Sequence, residues 1–354
     1  MFVTFIIDYT KTPNLGNKYL KSGKIVMQTE HYRVLYYSVS SRGLSTGSSK
    51  NKLKMDSRFR ENDKGEVRND IERSQDDIKT FLIIPSIFNS PEIFFLARDK
   101  SFIENLRSYG EVYLIDWLEI EEPHQYLLDD YVHKIIEVID NLKIKDINLI
   151  GYCIGGNLAI ATNVLMPKFI KTLTLLTCSW DFSHFFYIRM LHRYLKLDSG
   201  IENLPIIPKI HIQILFFLLF PDYFNAKLKK FFSITSDKEQ ELAFRIENWL
   251  MSGNSISKEV YNQIIQNISD ENMFIHLKWT IDNFIIDLSL IHCPVYIVAA
   301  EDDQIVPKSS ILPLQKLLKN SKLIDVVGGH ISYLINDKLD KLFKEYTLCQ
   351  NRFI

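Results

Sequence analysis

A tight turn between an apolar segment and a helix-like segment constrains this chain most. Residues 148–157 read NLIGYCIGGN, in which Cys153 lies among Gly151, Gly155 and Gly156. The residues before the turn have the apolar character of a buried strand, and those after it, GNLAIATNVLM, suit a buried helix. Glycine lets two elements approach where a side chain would collide. The stretch predicts a strand, a strained turn carrying Cys153, and a helix.

The segments around this turn alternate between strand and helix patterns. Strand patterns occur at FLIIP, EVYLIDW, DINLIGYCIGG, IKTLTLLTCS, CPVYIVAAEDD and SKLIDVVGGH, and helix patterns at DKSFIENLRSYG, LLDDYVHKIIEVIDNLK and KLDKLFKEYTL. Alternation in units of about 30 residues indicates a mostly parallel sheet with helices on both faces. A further strand, EHYRVLYYSVS, is expected at the edge of this sheet. The fold class is therefore α/β.

Shifts in composition divide the chain into four parts. Residues 1–40 form an N-terminal edge segment, and residues 41–79 form a charged insertion that we expect to be disordered, because it has too few apolar residues to offset its ordering entropy. Residues 80–180 and 288–354 make the α/β core. Residues 181–287 are mostly helical in pattern and are expected to form an inserted cap.

Within the expected cap, residues 210–220 read IHIQILFFLLF. This run is much shorter than the roughly 20 residues that span a bilayer, so no transmembrane segment is predicted. We favour a helix buried under the cap; an apolar surface for a lipid-like product or partner is the alternative. The first residues, MFVTFIIDYTKTPN, have neither the basic start nor the cleavage pattern of a signal peptide. A cytoplasmic location is expected.

Charge and cysteine content exclude several classes of protein. The chain has 42 basic and 43 acidic residues, a balance that leaves no footprint of nucleic-acid binding. Its 4 cysteines have no paired spacing, which argues against a disulfide framework and a zinc site and favours a reducing compartment.

The glycine-rich turn has the form of a nucleophile elbow. In the α/β-hydrolase fold, Gly-x-Ser-x-Gly joins a strand to a helix and projects the serine above the sheet. The sequence GYCIGG keeps this form with Cys153 as the central residue. The positive end of the following helix would favour a thiolate. We interpret Cys153 as a nucleophile; a buried structural cysteine is the alternative.

A cysteine nucleophile needs a histidine base and an acid that supports it. In α/β-hydrolases both follow the nucleophile along the chain, the acid first and the histidine second. Asp302 and Asp303 follow the strand pattern CPVYIVAA, and His330 follows the next strand in VVGGHIS. Asp303 is preferred because Asp-x-x-Val-Pro, which ends at Pro307, is the usual form of this loop, and Asp302 is the fallback. A helix cap and a structural histidine are the competing interpretations.

An oxyanion hole requires two backbone amides. One comes from the residue after the nucleophile, Ile154, and the other from the loop after an early strand. Within IIPSIFNSPE, we choose the backbone of Phe88, directly before Asn89.

Taken together, these motifs resemble those of the polyhydroxyalkanoate synthases, which polymerise 3-hydroxyacyl-CoA thioesters into polyester. The most specific match is the lipase-like box Gly-x-Cys-x-Gly-Gly from Gly151 to Gly156. Supporting matches are YLIDW, LDDYV, DFS, WLMSGNSISKEVYNQII, IDLSLIHCPVYIVAAEDDQIVP and GGHI. The resemblance covers roughly residues 80–345.

The resemblance implies an α/β-hydrolase fold with Cys153 as the acylated nucleophile, His330 as the base and Asp303 as its partner. It matches Asn89 to an asparagine of the substrate loop. It implies an acyl-CoA substrate, which we expect to be 3-hydroxybutyryl-CoA, and a polyester product, with no cofactor and no metal. It also implies activity in the cytoplasm or on polyester granules, and leaves open a homodimer and a second synthase subunit.

One departure and two alternatives accompany this interpretation. Where the family usually has a histidine after the acid, this chain has Gln304. The same residues would also serve an α/β-hydrolase that acts as a thioesterase or esterase. An inactive relative that binds granules is the third interpretation.

Overall fold

The computed structural model describes residues 22–40, 78–96, 101–120, 122–196, 199–219, 233 and 235–335. The predicted insertion at 41–79 lies outside these residues up to residue 77, and the predicted helix KLDKLFKEYTL lies wholly outside them.

A central sheet of eight strands organises the described part of the chain, in the order β1, β2, β4, β3, β5, β6, β11, β12. The strands are β1 (Lys24–Gln28), β2 (Tyr32–Tyr37), β3 (Lys79–Ile84), β4 (Gly110–Trp117), β5 (Ile147–Tyr152), β6 (Ile170–Leu176), β11 (Val295–Ala300) and β12 (Ser321–Val326). Only β2 pairs antiparallel, with β1 and β4, and the remaining pairs are parallel. The predicted mostly parallel sheet is confirmed.

Helices cover both faces of this sheet. They are α1 (Phe102–Arg107), α2 (Leu128–Leu142), α3 (Ile154–Leu165) and α8 (Lys308–Leu317). Buried side chains of α2, α3 and α8 belong to one apolar cluster, and those of α1 belong to a second cluster on the other face. In α2 the buried positions Leu128, Val132, Ile135 and Ile139 recur at helical spacing, which explains its packing. The alternation seen in the sequence thus corresponds to a three-layer α/β/α arrangement.

Between β6 and β11 the described chain is mostly helical. It contains α4 (Phe186–Tyr194), α5 (Lys209–Leu219), α6 (Asp237–Met251), α7 (Lys258–Asn262), a π-helix (Gln263–Asp270) and the short strands β7 (Ile206–Ile207), β8 (Ile256–Ser257), β9 (Thr280–Ile281) and β10 (Phe284–Ile285). Short 3-10 helices occupy Pro91–Phe95, Phe182–Phe185, Leu288–Leu290 and Ser332–Leu334. The helical pattern agrees with the expectation of a cap, whose boundaries stay a prediction.

Two local expectations were wrong in part. The strand EHYRVLYYSVS contains β2, which pairs on both sides, so β1 forms the edge of the sheet instead. Residues 210–219 of the run IHIQILFFLLF lie in α5, and residue 220 lies outside the described residues. This helix is not buried all round, because Ile210 and Ile214 are 52% and 48% exposed while Ile212 and Leu215 are buried. Across the described ranges, no helix is both long enough and apolar enough to cross a membrane.

Parallel strands end at the same edge of a sheet, where open α/β folds gather their functional residues. In this protein the carboxyl ends of β3, β5, β6, β11 and β12 meet at one such edge. The residues selected from the sequence lie in the loops that leave these strands, at the end of β5 or at the start of α3.

Candidate active site

Cys153 occupies a strained turn between β5 and α3. It is the N-cap of α3 and has φ 55° and ψ −128°. A non-glycine residue held at such backbone angles costs of order 1–3 kcal/mol, which the surrounding structure must supply. The Cys153 amide contributes by donating to the carbonyl of Leu176 in β6, at 3.0 Å. The side chain is partly exposed, so the predicted elbow presents an accessible thiol.

Glycines make this turn sterically possible. A Cβ at Gly151 would lie 2.5 Å from the Cα of Gly156, and one at Gly155 would lie 2.4 Å from the carbonyl oxygen of Pro85. Such distances are shorter than any ordinary van der Waals contact, so only glycine fits without moving backbone. The contact at Gly155 also presses the start of α3 against the loop that follows β3, and so brings that loop beside the elbow.

His330 and Asp303 form a buried pair next to the elbow. Nδ1 of His330 lies 2.7 Å from Oδ2 of Asp303, and both side chains are almost fully shielded from solvent. The other carboxylate oxygen of Asp303 accepts from the backbone amides of Ile305 and Val306, at 2.9 and 2.8 Å. Asp302, the fallback, is exposed instead. The structure therefore pairs His330 with Asp303; the catalytic roles of both stay predictions.

The electrostatics of the pair favour a protonated imidazole. Burial works against a charged ring, but the Asp303 carboxylate and the neighbouring Cys153 outweigh it and raise the pKa of His330 to about 10. The Cys153 side chain lies near His330 and contributes to this rise in its pKa. Because Nδ1 contacts Asp303, Nε2 is the ring nitrogen left to accept the thiol proton. The raised pKa makes the neutral ring a strong base toward the thiol, and the protonated ring that results from the transfer is stabilised by Asp303.

Two tyrosines close the site around His330. The hydroxyl of Tyr152 donates to the carbonyl of His330 at 3.4 Å, and the two rings lie 5.3 Å apart. The hydroxyl of Tyr333 lies 3.2 Å from Oγ1 of Thr177, at the end of β6. Burial raises the pKa of Tyr333 well above its ordinary value, with further contributions from Asp303 and Cys153. Sequence analysis missed Tyr333, whose only signal was its position three residues after His330.

The two predicted oxyanion donors differ in their surroundings. Ile154 is the first residue of α3, where backbone amides have no partner within the helix. The amide of Phe88 donates to Oγ of Ser86, at 3.2 Å, and would have to leave that partner to bind an oxyanion. Asn89 directs its side-chain amide to the carbonyl of Leu250, at 3.5 Å, rather than toward the elbow. The roles of Phe88 and Asn89 therefore stay predictions.

Within the residues that the structure describes, no group of three or more His, Cys, Asp or Glu side chains is arranged to hold a metal ion. The chemistry available at the elbow is that of a cysteine, a histidine and a carboxylate in series, a constellation suited to covalent acyl transfer.

Comparison with known families agrees with this geometry. The model of a protein family described as "alpha/beta hydrolase fold" matches residues 114–337, which make up more than half of the chain. The protein therefore belongs to the α/β-hydrolase fold family.

Its relatives point to a narrower group. The chain is 25% identical to the poly(3-hydroxyalkanoate) polymerase subunit PhaC of Haloferax mediterranei and 26% identical to the protein of the same name from Haloarcula marismortui, over 73% and 72% of its length. It spans 55% and 57% of the length of those two relatives. A third protein of that name, from Allochromatium vinosum, is 26% identical over 73% of this chain and 77% of its own.

Solved structures show the same fold at lower sequence identity. A protein described as Est816, an N-acyl homoserine lactone degrading enzyme, superimposes with a TM-score of 0.52 at 13% identity, covering 91% of this chain and 100% of its own. A putative lipase from Acinetobacter baumannii has a TM-score of 0.50 at 18% identity, covering 94% and 97%. At these identities the likeness supports the fold alone.

Proposed function

We propose that this protein is a polyhydroxyalkanoate synthase that polymerises 3-hydroxyacyl-CoA, with 3-hydroxybutyryl-CoA as the first substrate to test. The observation that carries the proposal is the buried, hydrogen-bonded pair of His330 and Asp303 beside Cys153, which lies on a glycine-rich elbow. Cysteine at the centre of this elbow, together with relatives named polymerase subunits, favours a synthase over the serine esterases that share the fold.

Acylation is the first half of the reaction. Nε2 of His330 takes the proton of the Cys153 thiol, and the sulfur attacks the thioester carbonyl to form a tetrahedral oxyanion. The amide of Ile154 and one amide of the loop after β3 hold that charge. When the oxyanion collapses, the bond from carbon to the CoA sulfur breaks and His330 returns the proton to the departing CoA. One thioester is exchanged for another, so the step needs no cofactor.

Chain extension is the second half. The hydroxyl of another 3-hydroxyacyl unit gives its proton to His330, and its oxygen attacks the acyl group on Cys153. An ester bond forms, the bond to the cysteine sulfur breaks, and the thiol regains the proton. Asp303 stabilises the imidazolium in both halves through its 2.7 Å contact with Nδ1. We propose that the protein acts on acyl-CoA, forms polyester and works at the granule surface, as expected from the sequence. A homodimer or a second subunit would change its assembly but not this chemistry.

The test is to incubate the purified protein with 3-hydroxybutyryl-CoA, measure free CoA with a thiol reagent, and collect any product by centrifugation. A synthase releases CoA and forms a polyester that sediments. The Cys178→Ala variant is the matched control, because it removes a thiol that lies near the elbow but is fully buried.

Two other outcomes reject the proposal in distinct ways. Release of CoA with only free 3-hydroxybutyrate in solution would identify a thioesterase, in which water replaces the second hydroxyl. No release, even after addition of candidate partner subunits, would identify a protein without synthase activity.

A further inference from the structure

A segment of the helical region lies directly on the loop that follows β3. Four hydrogen bonds join the two: Asn254 N–H to the Phe88 carbonyl at 3.0 Å, Trp249 Nε1 to the Ser90 carbonyl at 2.7 Å, Asn89 Nδ2 to the Leu250 carbonyl at 3.5 Å, and Arg245 Nη2 to the Phe95 carbonyl at 3.1 Å. A further bond, from Asn254 Nδ2 to the Trp117 carbonyl at 3.0 Å, reaches the end of β4. The end of α6 and the turn after it therefore run along residues 88–95.

The closest approach is at Gly253. A Cβ there would lie 2.7 Å from the carbonyl oxygen of Phe88, which is backbone and cannot rotate away as a side chain could. The same carbonyl receives the amide of Asn254. Glycine at 253 thus allows the turn to reach the loop and hold its peptide group.

Trp249 makes the shortest of these bonds. Its ring is 3% exposed, and its Nε1 donates to the carbonyl of Ser90. The tryptophan side chain has one hydrogen-bond donor and no acceptor, so this bond satisfies its only polar group. Bonds at Phe88 and Ser90 thus lie one residue on either side of Asn89, in a loop that has no strand partner of its own.

The opposite side of the loop contacts the elbow. Pro85 presses on the start of α3 at Gly155, which leaves the loop between the nucleophile turn on one side and the end of α6 on the other. Oxyanion donors act only when they are fixed where the charge develops, and removal of one donor costs about 10²–10³ in rate. A displacement of about 1 Å at such a site can cost about 10²-fold.

We propose that Trp249 and Gly253 are positioning residues that hold the loop after β3 so that its backbone can stabilise the oxyanion formed at Cys153. The role rests on the acyl transfer proposed above. It makes the helical region part of the apparatus that sets the rate of acylation, through residues that do not themselves touch the substrate.

The test separates reactions that need an oxyanion hole from one that does not. Acylation of Cys153 by p-nitrophenyl acetate passes through a tetrahedral oxyanion, and its burst of p-nitrophenolate gives the rate. Alkylation of Cys153 by iodoacetamide is a displacement at saturated carbon that reports only on thiol reactivity. Both rates are measured on wild type, Gly253→Ala, Trp249→Phe and Trp279→Phe.

Trp279→Phe is the matched control. Trp279 is 2% exposed, and its Nε1 donates to Oδ1 of Asp129 at 2.9 Å, away from the elbow. Both Trp→Phe changes remove one buried hydrogen bond and keep an aromatic ring, so their costs in stability should be similar. Only the change at Trp249 should slow acylation.

We expect Gly253→Ala and Trp249→Phe to lower the limiting rate constant of the burst at saturating ester about 10- to 100-fold, with little change in the ester concentration that gives half of that rate. Alkylation should stay within about twofold of wild type in all variants. If Gly253→Ala does not fold, Trp249→Phe carries the test alone.

Three results would overturn the inference. One is an equal loss of acylation and alkylation, which would mean general damage to the site. Another is an unchanged acylation rate in Trp249→Phe. The third is a wild-type protein that is alkylated at Cys153 yet acylated by no donor. Absence of CoA release with normal acylation by p-nitrophenyl acetate would reject the synthase proposal alone and leave this inference standing.

Discussion

The neighbouring strands β5 and β6 end in similar ways and yet carry cysteines of opposite character. Each strand leads into a non-glycine residue with positive φ, Cys153 at 55° and Thr177 at 45°. After Cys153 a helix begins at once, and the side chain lies near His330. After Thr177 comes Cys178, which is fully shielded from solvent and whose thiol pKa is raised well above its ordinary value by that burial.

The difference lies in what surrounds each thiol. Cys153 has a helix N-terminus and a histidine, whereas the Sγ of Cys178 lies 3.7 Å from the carbonyl of Ser179 and packs under Gly156. Strain is common to both strand ends, so it does not by itself make a cysteine reactive. A base within reach and access to solvent do.

The largest expected effect comes from removing each thiol in turn. Cys153→Ala should lower acyl transfer by about 10³-fold or more, because no other group can hold the acyl chain. Cys178→Ala should stay within about threefold of wild type, since a protonated buried thiol contributes packing alone. CoA release and mass spectrometry of the alkylated protein measure both. Retained turnover in Cys153→Ala would reverse the comparison.

A smaller effect is expected in the dependence of stability on pH. Because the folded pKa of His330 is about 10 against an ordinary 6.5, its stabilising contribution is complete below pH 6.5 and is lost as the pH rises toward 10. From pH 7 to 9 the free energy of unfolding should fall by at most about 1.4 kcal/mol per pH unit on this account.

The variants His330→Gln and Cys178→Ala test whether this change of the free energy of unfolding with pH comes from His330, beside Cys153, and not from the thiol of Cys178. Denaturant unfolding across the range should give a flatter slope for His330→Gln and a wild-type slope for Cys178→Ala. Identical slopes in wild type and His330→Gln would contradict the raised pKa.

The smallest effect concerns the contact between the two strand ends. A Cβ at Gly156 would lie 2.6 Å from both Cβ and Sγ of Cys178, so Gly156→Ala should destabilise the protein by about 1–2 kcal/mol. In a Cys178→Gly background the cost of Gly156→Ala should be smaller, because the opposing side chain is gone. Chemical denaturation of the four proteins in this cycle measures the coupling. Equal costs in both backgrounds would show that the two ends do not press on each other.

Much of the fold, and the positions of Cys153, Asp303 and His330 at the ends of strands, could be predicted because they depend on patterns within short stretches of sequence. The strands on either side of Cys153 are mostly apolar and buried, and the acid and the histidine follow later strands in the order that the fold requires. The edge strand β1 was missed because KIVMQ is short and its residues are mostly exposed or half-buried.

What sequence could not supply is contact between distant segments. The bond from Trp249 to Ser90 joins residues 159 positions apart, and neither residue type signals the other. The Phe88 amide donates to Ser86, and the Asn89 side chain donates to Leu250, only because of the way one loop bends. Such contacts follow from packing in three dimensions, and no periodic pattern records them.

The order of strands in the sheet also bears on how the protein is made. A chain under synthesis produces β5 and the thiol of Cys153 well over a hundred residues before β11 and β12, yet the acid and the histidine follow those two strands. Since β11 pairs with β6, and β12 with β11, Cys153 gains His330, its proposed base, only when the last strands join the sheet. Until then a nascent chain carries the thiol without this proposed proton acceptor, so the proposed activation of the cysteine would depend on completion of the sheet.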